Sequence, residues 1–339
     1  MLSLNAMDIK TDDRFELLIQ WLSRFDRVGG ERPVPASEDA SFRRYFRVAN
    51  AQSYIVMDAP PPREDCRPFV DIAGYLEKMG LNSPRVLESD LEQGFLLLTD
   101  LGTEPYLDAL ASQPERADEL YHDALDALVV MQEEGVAFQQ DLPPYDEELL
   151  RFELSLFHDW LCEKHLGIRF SPGEEADWQA CCDTLVENAL SQPRVFVHRD
   201  YHSRNLMVTD DENPGIIDFQ DAVDGPYTYD VVSLLKDCYV KWSQAATDDW
   251  AAYYAERMPI ALDDPACFQR DFDLMGIQRH LKAAGIFARL LHRDGKTRYM
   301  QDVPRTLSYI VDASQIYPEL EFLHTLITSR VLPDLAETG

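Results

Sequence analysis

Glu16 to Phe25, ELLIQWLSRF, spaces its apolar residues as a helix does. From Ser37 to Asp58 the rhythm changes to two runs, SFRRYFRV and YIVMDA, joined by the polar link Ala49, Asn50, Ala51 and Gln52, which predicts a hairpin. Three prolines, Pro60 to Pro62, stop the second strand, because proline has no N–H to give to a ladder. FVDIAGYLEKMG then sets Phe69, Ile72, Ala73, Leu76 and Met79 at 3/4 spacing before Gly80, a helix with its stop. Two short apolar runs follow, PRVLESD and GFLLLTDLG, around an acidic turn.

Beyond about Tyr106 helical periodicity dominates. RADELYHDALDALVVMQEEG aligns Tyr121, Ala124, Leu125, Leu128 and Met131 on one face, and LLRFELSLFHDWLCEKHLG predicts a core stripe of Phe152, Leu156 and Trp160. One β-like island interrupts the helices, RVFVHRDYHSRNLMVTDDENPGIIDFQDAVDG, where an Asp-Glu-Asn-Pro-Gly turn joins LMV to GIID as a second hairpin. There is no internal repeat or low-complexity stretch. The pattern predicts an α+β chain in two lobes. A small β-rich N-terminal lobe spans 1–100 with a hinge near 98–101, and a larger, mainly helical lobe spans 101–339 with the embedded hairpin at 195–220.

Composition narrows the function. With 339 residues, 45% hydrophobic and 27% charged, the chain buries a sizeable core. Asp and Glu number 61 against 31 Lys and Arg, a net charge of -30, and so acidic a surface repels phosphate backbones and anionic lipid headgroups. Nucleic acid and membrane are therefore poor partners. Apolar stretches such as ALVVM and FLLL fall far short of the ~20 residues a membrane span needs, and MLSLNAMDIKTDD has no basic start followed by an apolar run. The six scattered cysteines form no CxxC pair, so a soluble protein of the reducing cytoplasm is expected.

The chemistry is concentrated in His198-Arg199-Asp200-Tyr201-His202-Ser203-Arg204-Asn205, followed thirteen residues after the Asn by Asp218-Phe219-Gln220. Phosphoryl transfer from ATP needs a carboxylate to orient the attacking hydroxyl and take its proton, and Asp200, on a loop between strands, can supply it. It also needs Mg²⁺ on the phosphates. Asn205 and Asp218 suit that ion, which prefers hard oxygen ligands and takes only one or two from protein. Both motifs together, in order and on the predicted hairpin, favour this reading over a strand-end His198–Asp200 pair with Asp218 as a turn cap.

A second argument concerns the acceptor. From Arg279 to Arg298 there are six Lys or Arg and one acid, Asp294, in a chain where acids outnumber bases. On a helical period Arg279, Lys282, Arg289 and Arg293 form a stripe opposite Leu274, Ile277, Leu281, Ala284, Ala288 and Leu291. Such a stripe either attracts an anionic substrate or offsets nearby acids on a solvated face.

These motifs resemble the aminoglycoside phosphotransferase-like kinases, whose catalytic loop reads H-x-D-x-H-x-x-N and whose metal aspartate opens a D-F/W-x motif; Val197 to Val208 and Ile216 to Asp224 fit. ASFRRYFRV, YIVMDAPP, FLLLTDLG, DVVSLLKDCYVKW and QRHLKAAGIFARL look most similar to the bacterial anomeric N-acetylmuramate/N-acetylglucosamine kinases of cell-wall recycling. The resemblance implies a two-lobed protein-kinase-like fold that binds ATP, with adenine against the backbone at Leu98, Thr99 and Asp100. It implies transfer of the γ-phosphate to the C1 hydroxyl of a free amino sugar, with Asp200 as base and Asn205 and Asp218 as metal ligands. Asp230, in Gly225-Pro226-Tyr227-Thr228-Tyr229-Asp230, resembles the family's brace of the catalytic loop. His202, Arg204, Arg279 and His280 are the candidate substrate contacts, and the basic stripe favours muramate, which carries a carboxylate.

One departure stands out. Where the family resemblance implies a phosphate-binding Lys, YIVMDAP offers Met57 and Asp58. Arg43 and Arg44 are the candidate replacements, since guanidinium forks onto phosphate oxygens; otherwise they are solvated strand arginines. A kinase of another hydroxyl (aminoglycoside, choline, homoserine) and a nucleotide-binding pseudokinase regulator are the rival readings.

Overall fold

The computed structural model describes residues 12–38 and 42–338. Residues 1–11, considered above for a leader, and Ala40 and Ser41 of the strand phrase lie outside the described residues. The chain groups into two units. One comprises the residues up to Thr103 together with Gly215–Gln220, the other Glu104–Pro214 together with Asp221–Gly339.

The smaller unit is built on an antiparallel sheet of β1 (Val34–Glu38), β2 (Arg44–Ala49), β3 (Ser53–Asp58), β4 (Val86–Asp90) and β5 (Phe95–Thr99), in the order β1-β2-β3-β5-β4. The predicted hairpin is β2–β3, with Phe46 opposite Val56 and Val48 opposite Tyr54. Those four, with Phe95 and Leu97, pack against Phe15, Leu18, Trp21 and Leu22 of the Asp13–Leu22 helix. The strand β1 was not expected. VPASE lacks apolar alternation, and its Pro35 is tolerated because the strand lies at the sheet edge, where the register shifts between Pro35 and Ser37. Phe95 to Leu98 are all buried, as in a strand covered on both faces. The expected helix is Arg67–Lys78, and its Phe69 ring lies 4.7 Å from that of Phe219.

Further along lie β6 (Arg194–Val197), β7 (Leu206–Met207), β8 (Gly215–Ile216) and β9 (Val223–Pro226). In the larger unit β6 pairs antiparallel with β9, and Met207 of β7 bridges to Pro105. In the smaller unit the Ile216 amide of β8 donates to the Asn82 carbonyl at 2.7 Å.

The larger unit is helical. Ala117–Glu134 buries the expected Tyr121, Ala124, Leu125, Leu128 and Met131. The stripe expected of Phe152, Leu156 and Trp160 is corrected: Phe152 is 54% exposed and Trp160 half-buried, while Leu150, Glu153, Leu154, Leu156, Phe157 and Leu161 face inward. Phe152 lies off the inward face that Leu150, Glu153, Leu154 and Phe157 share at 3/4 spacing, and beyond Leu156 the pitch itself changes. The α-helix Glu147–Leu156 passes into a π-helical segment, Phe157–His165, which breaks the 3.6-residue phase that a single helix would keep. At that junction the backbone meets Gly285, where an added Cβ would stand 2.3 Å from the Leu156 carbonyl carbon and 2.5 Å from the Phe157 nitrogen.

Gly285 belongs to the long helix Pro265–Asp294, which opens on an Asp264 cap and closes on Gly295 at φ 67°. Leu274, Ile277, Leu281, Ala284 and Ala288 are buried as expected, but so is Arg279 on the opposite side. The basic stripe is therefore not a uniform solvated face: Arg279 is buried, Arg289 half-buried and Arg293 exposed. Among the described residues no helix is long and apolar enough to cross a membrane.

Candidate active site

The loop after β6 is pinned at both ends by buried carboxylates. At its start His198 N and Arg199 N donate to the two oxygens of Asp230, at 2.6 and 3.0 Å, holding Arg199 at φ 76°. Asp230, on the Thr228–Leu235 helix, is the residue expected to brace this loop. Burial pushes its carboxyl up, and the two N–H donors offset part of that. At the other end Ser203 donates its amide (3.0 Å) and its hydroxyl (2.5 Å) to Asp237, whose second oxygen accepts from Tyr239 N at 2.8 Å.

Between these pins the loop closes on itself. Asp200 N donates to His198 Nδ1 at 3.2 Å, the Asp200 carbonyl accepts from His202 N (3.1 Å) and Asn205 Nδ2 (3.0 Å), and the Tyr201 hydroxyl donates to the Ala124 carbonyl at 2.8 Å. His198 and Asp200 are thus joined through the Asp200 backbone. The Asp200 carboxylate accepts no hydrogen bond and makes no ion pair among the described residues.

What surrounds that carboxylate is charge. Burial alone would push its carboxyl up, but Lys282, His202, Arg279 and Arg199 outweigh burial and hold it at about 2. Lys282 and Arg199 are themselves compensated by Glu153, which is 2% exposed and accepts from them at 2.9 and 2.6 Å and from the Tyr145 hydroxyl. Burial would raise Glu153 too; these cations keep it low. Lys282 Nζ also reaches the Tyr229 hydroxyl at 2.9 Å.

The expected substrate contacts lie in the same unit. Burial lowers the His202 imidazole below its usual value, so it is neutral near pH 7, and its Nδ1 has no partner among the described residues. The Arg204 guanidinium sits 3.8 Å over the Tyr239 ring. Arg279 touches Cys238 Sγ at 3.7 Å. His280 is fully buried, donates Nε2–H to the Lys236 carbonyl at 2.7 Å and stacks on Tyr309, and burial beside Arg279 holds it down to about 3.

The smaller unit carries the other candidates. Leu98 pairs with Ile55 inside the sheet, and Thr99 Oγ accepts from Arg85 N at 2.9 Å. Asp100 is gripped by Arg47 through two bonds (2.6 and 3.0 Å), by Ser53 Oγ (2.5 Å) and by Gly102 N (3.0 Å). Arg44 forks onto the fully buried Asp58 at 2.5 and 2.9 Å and also meets Asp12, while Arg14 holds the other Asp58 oxygen at 2.6 Å. Arg43 lies 3.7 Å from Glu64. Asp218 sits in the left-handed region at φ 65°, and its Oδ1 accepts from Gln220 Nε2 at 2.9 Å.

No group of three or more His, Cys, Asp or Glu poised as a complete metal cage occurs among the described residues. Asp218 carries a carboxylate and Asn205 a carboxamide, each a hard oxygen donor of the kind Mg²⁺ accepts.

Glu153, Asp237 and Ser203 were missed. The signal for two of them was present: Glu153 stands between Leu150 and Leu154 on an apolar face, and Asp237 follows the apolar run VVSLL by one lysine. An acid in such a place is buried only if it is paired.

The pattern of the Phosphotransferase enzyme family matches residues 33–267. The chain is 51% identical, over 96% of its length and 99% of the relative's, to the N-acetylmuramate/N-acetylglucosamine kinase of Pseudomonas aeruginosa. It is 46% identical, over 93% and 96%, to that of Pseudomonas putida. An ADP-bound aminoglycoside phosphotransferase superposes with a TM-score of 0.59 at 15% identity, covering 88% of this chain and 97% of that one, a likeness of the protein-kinase-like α+β fold.

Proposed function

The chain belongs to the Phosphotransferase enzyme family, and from that premise we propose that it is an ATP-dependent sugar kinase of peptidoglycan recycling. It transfers the γ-phosphoryl group of ATP to the anomeric C1 hydroxyl of N-acetylmuramate or N-acetylglucosamine and releases the sugar 1-phosphate.

The observation that carries this reading is the Asp200 carboxylate, kept ionised chiefly by Lys282, Arg279 and Arg199 yet bonded to no donor among the described residues. It is an acceptor lacking its donor, and a substrate hydroxyl supplies one. Asp200 orients the C1 hydroxyl and takes its proton as the oxygen bonds to phosphorus. Held near pKa 2, Asp200 is a weak base, which suits an anomeric hydroxyl, more acidic than an ordinary alcohol, and a loose transition state in which the proton leaves late. Asp230 and Asp237 fix the loop so that this oxygen does not wander.

Bound Mg²⁺ neutralises charge on the transferring phosphates. Asn205 and Asp218 are its proposed ligands, on their order and spacing in the motif. Leu98, Thr99 and Asp100 offer backbone groups to adenine, and Arg43 and Arg44 are proposed to reach the triphosphate, with Asp58 orienting Arg44. His202, Arg204 and Arg279 make up the acceptor side. Arg279, Lys282 and Arg199, close enough to act on Asp200, are poor company for a polycationic aminoglycoside. The cysteines of the chain are free thiols, in keeping with a cytoplasmic setting.

The test is ADP release across N-acetylmuramate, N-acetylglucosamine, glucose, choline and kanamycin, with phosphorus NMR identifying the product. The two N-acetylated sugars are turned over to 1-phosphates, and Asp200→Ala loses about 10²–10⁴-fold in kcat while nucleotide still binds. Full activity in that variant, or a phosphate on any other hydroxyl, ends the assignment.

A further inference from the structure

Two cations of the long helix, the buried Arg279 and the half-buried Lys282, differ in how they are compensated. Lys282 has Glu153 at 2.9 Å and the Tyr229 hydroxyl at 2.9 Å. Arg279, one turn earlier and 5% exposed, has no carboxylate at ion-pair distance among the described residues. Its hydrogen bond goes to the Cys238 sulfur at 3.7 Å, a weak acceptor, and its Nε has no partner. His202, whose Nδ1 is also buried and unpartnered, lies within reach of its field.

A guanidinium withdrawn from water without a counter-charge is destabilising unless something arrives to pair with it. The nearby carboxylates do not serve. Asp237 feels the charge of Arg279 but is occupied by Ser203 and Tyr239, and Asp200 feels it while remaining the acceptor for the sugar hydroxyl. An anion brought by the ligand completes the arrangement.

We propose that Arg279 is the receptor for the carboxylate of the acceptor's lactyl side chain, so that the enzyme discriminates N-acetylmuramate from uncharged amino sugars. This rests on the reading of the site as an amino-sugar kinase. Arg279 donates two N–H groups to the carboxylate, a geometry that a lysine does not reproduce. The neutral His202 faces the adjoining polar substituents. Lys282, already satisfied by Glu153, takes no part in this recognition.

The experiment compares kcat/KM for N-acetylmuramate, its uncharged primary amide and N-acetylglucosamine. The wild-type enzyme favours the acid over the amide by about 10–100-fold, the span expected of a charge-assisted pair, chiefly through KM. Arg279→Gln abolishes that preference and lowers the muramate rate at least tenfold more than the glucosamine rate. Equal wild-type turnover of acid and amide overturns the inference without touching the kinase assignment, and does so even if the variant fails to fold. An equal fall on all three sugars makes Arg279 structural and also overturns it. No wild-type turnover of any of the three removes the kinase reading and this inference together.

Discussion

Ser203 gives both its amide hydrogen and its hydroxyl hydrogen to one oxygen of Asp237, at 3.0 and 2.5 Å. Since Asp237 also accepts from Tyr239 N, this single buried carboxylate ends the Asp200 loop and begins the segment that carries Cys238 and Tyr239. Asp237→Ala leaves three buried donors unpaired and is expected to cost about 3 kcal/mol, at roughly 1 kcal/mol per donor. Ser203→Ala, which removes only the hydroxyl, costs about 1 kcal/mol. Urea titrations read both, and an Asp237→Ala protein of wild-type stability would refute the pin.

Glu153 answers two cations at once. Glu153→Ala strands Lys282 and Arg199 in the interior and is expected to destabilise by about 3–5 kcal/mol. Adding Lys282→Met removes one stranded charge, so the double variant should be more stable than Glu153→Ala alone. A double-mutant cycle in denaturant midpoints measures this, and strict additivity of the two substitutions would show that the pair is not coupled.

The pH response follows from the groups around Asp200, namely Lys282, His202, Arg279, Arg199 and the acid Asp230. The Asp200 carboxyl is depressed from 3.8 to about 2, so the stability its charged form lends is complete above about pH 4 and is lost as pH falls from there toward 2. His202, lowered by burial, is neutral near pH 7. Between pH 6 and 8 kcat should therefore be flat with respect to Asp200. Lys282→Met removes the strongest cationic pull on Asp200, and the acid limb of its kcat profile should move upward relative to wild type. An unshifted limb would mean that Lys282 does not tune this carboxylate.

The β2–β3 hairpin, the Arg67–Lys78 helix and the Asp200 loop were legible because each writes its geometry locally, in alternation, in 3/4 spacing or in a dense polar motif. Phe152 was misread because the inward face of its helix is set by Leu150, Glu153, Leu154 and Phe157, and Trp160 because the π-helical segment after Leu156 shifts the phase, which no local spacing announces. Arg279 illustrates a different limit. The periodicity placed it on a basic stripe with Lys282, Arg289 and Arg293, yet only the fold separates a compensated lysine from an uncompensated arginine and both from the exposed Arg293. Asp58 shows a third. At the place where a lysine was expected, it gathers Arg14 and Arg44, and no local pattern announced that a buried acid would hold Arg44, one of the two arginines first offered as phosphate contacts.

Six residues, Gly215 to Gln220, complete a body whose remainder ends at Thr103. A polypeptide truncated at Thr103 would lack the amide that meets the Asn82 carbonyl and the ring that covers Phe69. Nor could this half be exchanged between relatives by splicing at a single junction, because a donor's residues 1–103 would have to accept the host's Asp218-Phe219 insert. Ribosomal synthesis meets the same constraint: more than a hundred further residues emerge before the first unit has all of its parts.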